Sequence, residues 1–163
     1  MVFKNEKELK EFLLKKSRIA LSKAQEKVYE IIDRFLKDFY ADYTPSDSGY
    51  GYQRTGQLLH SLVKADVVPN GSGYKAEIYF DLSSLSYSKP AWQKGNTPSG
   101  EEVFEAAKQG LHGAIGDAGG GYEFNYVSGN SGVSVWNDPI KILDAKAIEI
   151  LKDMLRAEGI PIK

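Results

Sequence analysis

The stretch that decides the fold is NEKELKEFLLKKSRIALSKAQEKVYEIIDRFLKDFY, residues 5–40. Its apolar residues recur at steps of three and four, the spacing of one helix face. They are Leu9, Phe12, Leu13, Ala20, Ala24, Val28, Ile31, Ile32, Phe35, Leu36, Phe39 and Tyr40. No Gly or Pro interrupts the run, and Asn5 with Glu8 three residues later forms a variant of the capping box. The pattern predicts one long helix.

The length of this helix bears on domain organisation. It would span about 50 Å, whereas a compact domain of this size is about 30–35 Å across. The first part of the helix is rich in Lys and Glu and has fewer large apolar residues than the second. We therefore expect a single domain, 1–163, in which 1–27 protrudes and 28–163 forms a compact α+β body. The alternative is a helix broken near Ser17 or Ser22 that folds back as a hairpin.

A β-hairpin is predicted in the middle of the chain. A loop and a short helix, with Thr55 as its N-cap, lead into a strand at Val63–Val68. Pro69–Gly73 has turn composition, and Tyr74–Leu82 alternates apolar and polar residues with a period of two. The sequence therefore predicts two antiparallel strands with one apolar face.

The second half of the chain contains two further helices. A helix is expected over Glu101–Leu111, started by Ser99 or Gly100, and the final helix has Asp138 as its cap, with Pro139 following and Gly159 ending it. The buried stripe predicted for the final helix consists of Ile142, Leu143, Ala147, Ile150, Leu151, Met154 and Leu155.

Between these two helices lie a glycine-rich segment, Gly113–Gly121, and candidate strand residues in Tyr122–Trp136. We expect the glycine-rich segment to be a flexible loop. The predicted fold class is α+β, with the long N-terminal helix and the C-terminal helix packed on a small, mainly antiparallel β-sheet.

The composition excludes several classes of protein. The chain has no cysteine, which removes disulfides, thiolate metal sites and a cysteine nucleophile. The 21 basic and 22 acidic residues give a net charge of −1, without the basic excess typical of nucleic-acid binders. No apolar run approaches the ~20 residues of a membrane helix, and the N-terminus has no signal-like stretch. We expect synthesis in the cytosol and no membrane partner.

Candidate chemistry is sparse. Gly113–Gly121 is not followed by the Lys-Ser or Lys-Thr of a phosphate loop. The only histidines, His60 and His112, do not form a metal-binding pair at i,i+4, and no nucleophile elbow surrounds a serine. We interpret both histidines as structural. The sequence predicts no catalytic residue, no metal site and no cofactor.

Aromatic residues in loops are the remaining unusual feature. They allow two interpretations: they cover the core, or they anchor a partner surface. They are Tyr43, Tyr50, Tyr52, Tyr87, Trp92 and Trp136.

The order of elements resembles a known family. A long amphipathic helix leads into Tyr52-x-Arg54-Thr55-Gly56-x-Leu58-Leu59-x-Ser61-Leu62, followed by a hairpin, a Trp-containing loop, a helix ending at Leu111-His112-Gly113, and a closing helix. This pattern resembles the tail-completion, or head–tail joining, proteins of tailed bacteriophages, the gene-product-ten-like minor structural proteins of lambda-like siphophages.

The resemblance implies a virion structural protein that forms a ring at the neck and joins the tail to the head. Its implied partners are other copies of itself, the connector or stopper protein, and tail-tube or tail-terminator proteins. DNA would be contacted only in passing through the ring. Such a protein resides in the virion, and in the host cytoplasm during assembly. A ring needs two complementary faces, which we expect on the first part of the long helix and in the Ser83–Gly100 loop. The predicted interface residues are Phe12, Leu13, Arg54, Tyr87 and Trp92.

Two alternatives remain at this point. The first is a tail-terminator ring or minor capsid component. The second, from a different class, is a small hydrolase or carbohydrate-binding module that uses His112, Asp117 and loop aromatics.

Overall fold

The predicted α+β class is confirmed. The computed structural model describes residues 3–41, 56–85, 97–117 and 123–162. This part of the chain contains a long N-terminal α-helix, a long C-terminal α-helix, two shorter α-helices, one 3₁₀ helix at Leu82–Ser84 and six strands. The strands form three two-stranded sheets.

Helix α1 runs without a break from Glu6 to Ala41, so the alternative of a folded-back hairpin is wrong. Its 36 residues give a length of about 54 Å. Asn5 is the N-cap, as predicted, because its side-chain oxygen accepts the Glu8 N–H at 2.9 Å. The Glu8 carboxylate accepts the Lys4 N–H at 3.0 Å, one residue before the position it takes in a capping box.

The short helix α2, Gln57–His60, has Gly56 as its N-cap, so the prediction of Thr55 as the cap is wrong. Gly56 adopts the left-handed conformation, with φ of 67°. Glycine adopts this conformation without steric strain because it has no Cβ.

The predicted hairpin exists, but it is divided into two pairs of strands. β1 (Leu62–Lys64) pairs with β4 (Ile78–Phe80), and β2 (Val68–Asn70) pairs antiparallel with β3 (Gly73–Lys75). The predicted alternation holds from Tyr74 to Phe80, where half-buried and exposed residues alternate.

Two details of the hairpin differ from the prediction. Pro69 lies in β2 opposite Tyr74, and the connection is reduced to Gly71 and Ser72. A proline is tolerated there because a two-stranded sheet leaves an edge where no N–H is needed.

Helix α3, Gly100–Lys108, begins with a complete capping box. The Ser99 hydroxyl accepts the Glu102 N–H at 3.3 Å, and the Glu102 carboxylate accepts the Ser99 N–H at 2.6 Å. The helix ends before Leu111, because Gly110 adopts a φ of 76° and redirects the chain.

Strand β5, Leu111–Asp117, follows and pairs antiparallel with β6, Glu123–Asn130. The prediction of a loop at Gly113–Gly121 is therefore wrong for its first five residues. Val133 and Val135, candidate strand residues, lie beyond β6.

Helix α4 spans Asn137–Ala157 and begins one residue before its predicted cap. The Ser134 hydroxyl accepts the Asn137 N–H at 2.8 Å, and the Ser134 N–H donates to Asp138 at 2.9 Å. That N–H, and then the Lys141 ammonium, hold the pKa of the Asp138 carboxyl below its usual value.

The C-terminus of α4 has the predicted glycine stop. Gly159 has a φ of 83°, its N–H donates to the Arg156 carbonyl, and the Ile160 N–H donates to the Leu155 carbonyl. This is a Schellman motif, in which the residue with the left-handed conformation is usually glycine because glycine has no Cβ.

The contacts divide the chain into two compact units. Unit 1 comprises residues 1–30, 64–78 and 142–163, and unit 2 comprises residues 31–63 and 79–141. The single-domain description and the boundary at residue 27 stay predictions.

Each unit has its own buried apolar residues. Those of unit 1 are Ala20, Ala24, Val67, Leu143 and Ile160. Those of unit 2 are Ile32, Leu36, Phe39, Leu58, Leu62, Ala106, Ala107 and Val135. Within the described residues, no helix has the length and apolar character needed to cross a membrane.

Candidate assembly surface

The first turns of α1 carry apolar side chains that the rest of the described chain covers only in part. Leu9 and Leu13, one helical turn apart, are each 37% exposed. Phe12, on the same side of the helix, is half-buried against Phe3, with ring centroids 5.2 Å apart. Every residue from 4 to 11 is exposed. These residues, Phe3, Leu9, Phe12 and Leu13, are called the α1 patch below.

Two of the five predicted interface residues, Phe12 and Leu13, are therefore neighbours in the α1 patch. Arg54, Tyr87 and Trp92 lie outside the described residues, as does most of the Ser83–Gly100 loop.

Just beyond the α1 patch, ion pairs attach α1 to the end of α4. Lys16 and Lys23 both bind the Glu158 carboxylate, at 2.9 and 2.5 Å, and the Glu158 side chain is only 9% exposed. The two lysines lie seven residues apart, which places them on one face of the helix. Hydrogen bonds from Lys23 and then from Lys16 hold the pKa of Glu158 below its usual value. These ion pairs therefore attach α1 to the rest of unit 1 from Lys16 onward.

A buried amide provides a second attachment of α1. Gln25 is 6% exposed, and its amide nitrogen donates to the carbonyl oxygens of Ala65 and Glu77, at 2.8 and 2.9 Å. The Ala65 N–H itself donates to the Glu77 carbonyl at 3.0 Å. Gln25 thus fixes the helix to the point where the hairpin changes from one strand pair to the other.

An open groove of about 700 Å³ lies in unit 1 between α1 and the tip of the hairpin. Leu14 and Ile19 supply its apolar lining, and the Tyr74 ring lies under the Arg18 guanidinium, 6.0 Å from its centroid. Lys15, Lys23 and Glu11 complete its charged lining. Lys23 is already paired with Glu158. Lys15 and Arg18 against Glu11 therefore leave the groove with one excess positive charge, which favours an occupant with a negative charge.

The middle of α4 is bare on all sides. All six residues from 144 to 149 are exposed, including Ala147, which was predicted to be buried. Ile148 is 71% exposed, the highest value among the large exposed apolar residues of the described chain. The sequence pattern does not predict this exposure, because Ile148 lies seven residues before Leu155 of the predicted stripe, on the same side of the helix. The groove combines residues from α1 and the hairpin, and no spacing within either one predicts it.

The histidine of the hydrolase alternative is buried in unit 2. His112 is 4% exposed, and its ring lies 4.0 Å from the Phe39 ring and 6.0 Å from that of Tyr40. This environment favours the structural interpretation over a role in catalysis, which needs access to substrate. His60 lies in the last turn of α2 and is exposed. Among the described residues, no group of three or more His, Asp or Glu could hold a metal ion.

Trp136 is the loop aromatic whose position the structure describes. It joins Phe80 and Phe104 in a cluster with ring centroids 4.7 to 6.3 Å apart. Of the two interpretations of loop aromatics, covering the core applies to Trp136. The other five, Tyr43, Tyr50, Tyr52, Tyr87 and Trp92, lie outside the described residues.

Comparison with known proteins gives no relative. No family model matches the chain, and neither a curated protein nor a solved structure matches it.

Proposed function

We propose that this protein is a virion structural subunit of a tailed bacteriophage, a ring-forming head–tail connector or tail-completion protein that joins the tail to the head. The observation that carries the assembly part of this proposal is the α1 patch. A helix of 36 residues begins with turns in which residues 6–11 are all exposed, and the apolar side chains of Leu9 and Leu13 are only partly covered by the described residues. Burying such side chains against a neighbouring subunit is favourable, at about 25 cal/mol for each Å² of apolar surface.

The α1 patch adjoins turns of α1 that are held in place by polar contacts. The double ion pair to Glu158 and the buried amide of Gln25 hold the following turns of α1 against unit 1. A helix held in this way offers the patch with its backbone already ordered, and this reduces the entropy lost on binding. The near-neutral net charge also permits close packing of many copies.

The phage assignment is supported by the resemblance to the neck-protein family. The part of the motif that the structure describes is residues 56–62, where Leu58, Ser61 and Leu62 are buried in unit 2 and the Ser61 hydroxyl donates to the Leu58 carbonyl at 2.8 Å. These residues stabilise the fold of unit 2, so their role in this chain is structural. The position at the neck of the virion is supported by the resemblance to that family.

The test is light scattering coupled to size-exclusion chromatography on the purified chain over a wide range of concentration, with negative-stain imaging of any large species. We expect masses that are multiples of 18.1 kDa and closed rings in the images. A monomer throughout would contradict a self-assembling ring. Open filaments would support head-to-tail contact but contradict closure. The gene's position, expected between connector and tail-tube genes, tests the placement at the neck independently.

A further inference from the structure

Unit 1 carries two surface features that complement each other and that lie outside the α1 patch. The first is the groove beside Tyr74. In the described part of the chain, Lys15 and Arg18 make no ion pair, although most other charged residues of α1 beyond residue 15 have one. Leu14 and Ile19 offer apolar surface between these cations.

The second feature is the bare turn of α4. Asp144 and Ile148 are four residues apart, so they lie on one face of the helix, with Ala145 beside them. Within the described residues, Asp144 makes no ion pair, whereas Asp138, Glu149 and Asp153 each pair with a neighbour on the same helix. The face thus presents an apolar side chain that is 71% exposed next to an unpaired carboxylate.

We propose that the groove of one copy receives the Asp144–Ile148 turn of α4 from a second copy of this chain. Ile148 contacts Leu14 and Ile19, and the Asp144 carboxylate pairs with Arg18 or Lys15. The contact is heterologous, since two different surfaces of the same chain meet, and repetition of such a contact generates a ring or a filament. This inference rests on the proposed function and names the second interface that the ring needs.

The occupant is argued from charge and shape. An open groove in which Lys15 and Arg18 outnumber Glu11 selects against a basic segment, and the bare turn supplies one unpaired acid with one aliphatic side chain. A DNA duplex is the competing occupant. It would use the same cations but would leave Ile148 exposed, so the experiment must distinguish the two.

The chain has no cysteine, so a cross-linker specific for thiols reacts only with cysteines that are introduced. Ser22→Cys places a thiol in the groove, and Ala145→Cys places one on the bare turn, both at exposed positions. The two variants, one carrying a mass tag, are mixed and treated with a short bismaleimide. We expect a tagged–untagged heterodimer and no product from either variant alone. Lys146→Cys, on the opposite side of the same helix, is the matched control and should give at least fivefold less product.

The charges are tested by reversal. Arg18→Glu or Asp144→Arg alone should lower the yield of the cross-link about tenfold, and combining Arg18→Glu in the groove variant with Asp144→Arg in the turn variant should restore it. If the wild type forms rings but the Ser22→Cys and Ala145→Cys variants give no cross-linked heterodimer, this inference is overturned and the proposed function stays intact. If the two variants cross-link but the wild type forms no rings, the contact between copies is supported and the proposed ring-forming function is overturned. Arg18-dependent binding of a DNA duplex, without any cross-link between copies, would assign the groove to nucleic acid and overturn the inference.

Discussion

At the scale of single residues, a few polar groups attach the long helix to the rest of unit 1. Gln25 is the most constrained of them, because its amide satisfies two carbonyl oxygens at a buried point. No sequence pattern singles it out. A glutamine between Ala24 and Glu26 resembles any other polar residue on a helix, and its importance comes from residues 40 and 52 positions further along the chain.

Replacing Gln25 with Met keeps the volume of the side chain and removes both donors. We expect a loss of about 1–3 kcal/mol in the free energy of unfolding, since two carbonyls lose a partner in a buried place. Chemical denaturation followed by circular dichroism measures it. The matched control is Glu26→Met at the adjacent exposed position, where the lost surface ion pair with Lys64 should cost less than about 1 kcal/mol. Equal losses in the two variants would refute the role given to Gln25.

The ion pairs of Glu158 lead us to expect that the stability of the fold depends on pH. Its pKa is lowered in the folded protein, mainly by Lys23 and Lys16, so the folded state binds fewer protons than the unfolded one near the ordinary glutamate value of 4.5. The stabilisation is therefore present above that value and is lost as the pH falls below it. At pH 7 the wild type should melt at a higher temperature than Glu158→Gln, and the difference should shrink to zero in acid. A difference that persists at pH 3 would show that packing, not charge, is responsible.

At the scale of elements, the periodic patterns were the reliable guide. The 36 residues of α1, the glycine stop of α4 and the Ser99 cap of α3 follow from local rules that depend on neighbouring residues alone. The strand β5 was missed because its glycines indicate a loop. It is extended because β6 supplies hydrogen-bond partners, and a partner strand is a tertiary fact that composition does not contain.

The glycine stop of α4 gives an element-scale prediction. Gly159→Ala places a Cβ on a residue with φ of 83°, and nothing lies within 4 Å of that Cβ, so the cost is one of backbone conformation. We expect a loss of about 1 kcal/mol. Gly73→Ala is the matched control, because its site is equally open but its φ is not positive, and its effect should stay within about 0.5 kcal/mol. Thermal melts of the two variants decide the comparison.

The candidate site was predicted in part for similar reasons. Phe12 and Leu13 could be selected because the apolar stripe of α1 continues into a segment rich in charge. The groove could not be found from sequence, because Tyr74 meets Arg18 only after the hairpin has folded against α1. The bare turn of α4 could not be found from sequence either, because Ile148 and Ala147 both lie close to the predicted stripe and their exposure shows only in the structure.

At the scale of the whole molecule, the central claim is that the α1 patch is a surface for assembly. Leu9 and Leu13 are the most direct residues to change, because Phe12 is also needed to hold Phe3. Lys7 lies on the opposite side of the same exposed segment, so Lys7→Asp is a control for added negative charge.

The deciding measurement is the mass, by light scattering at matched concentrations, of the wild type, Leu9→Asp/Leu13→Asp and Lys7→Asp. We predict oligomers for the wild type and Lys7→Asp. For the double variant we predict a monomer of 18.1 kDa whose melting temperature falls by less than about 5 °C. A double variant that is folded and assembles as the wild type does would contradict the claim that this surface joins the subunits.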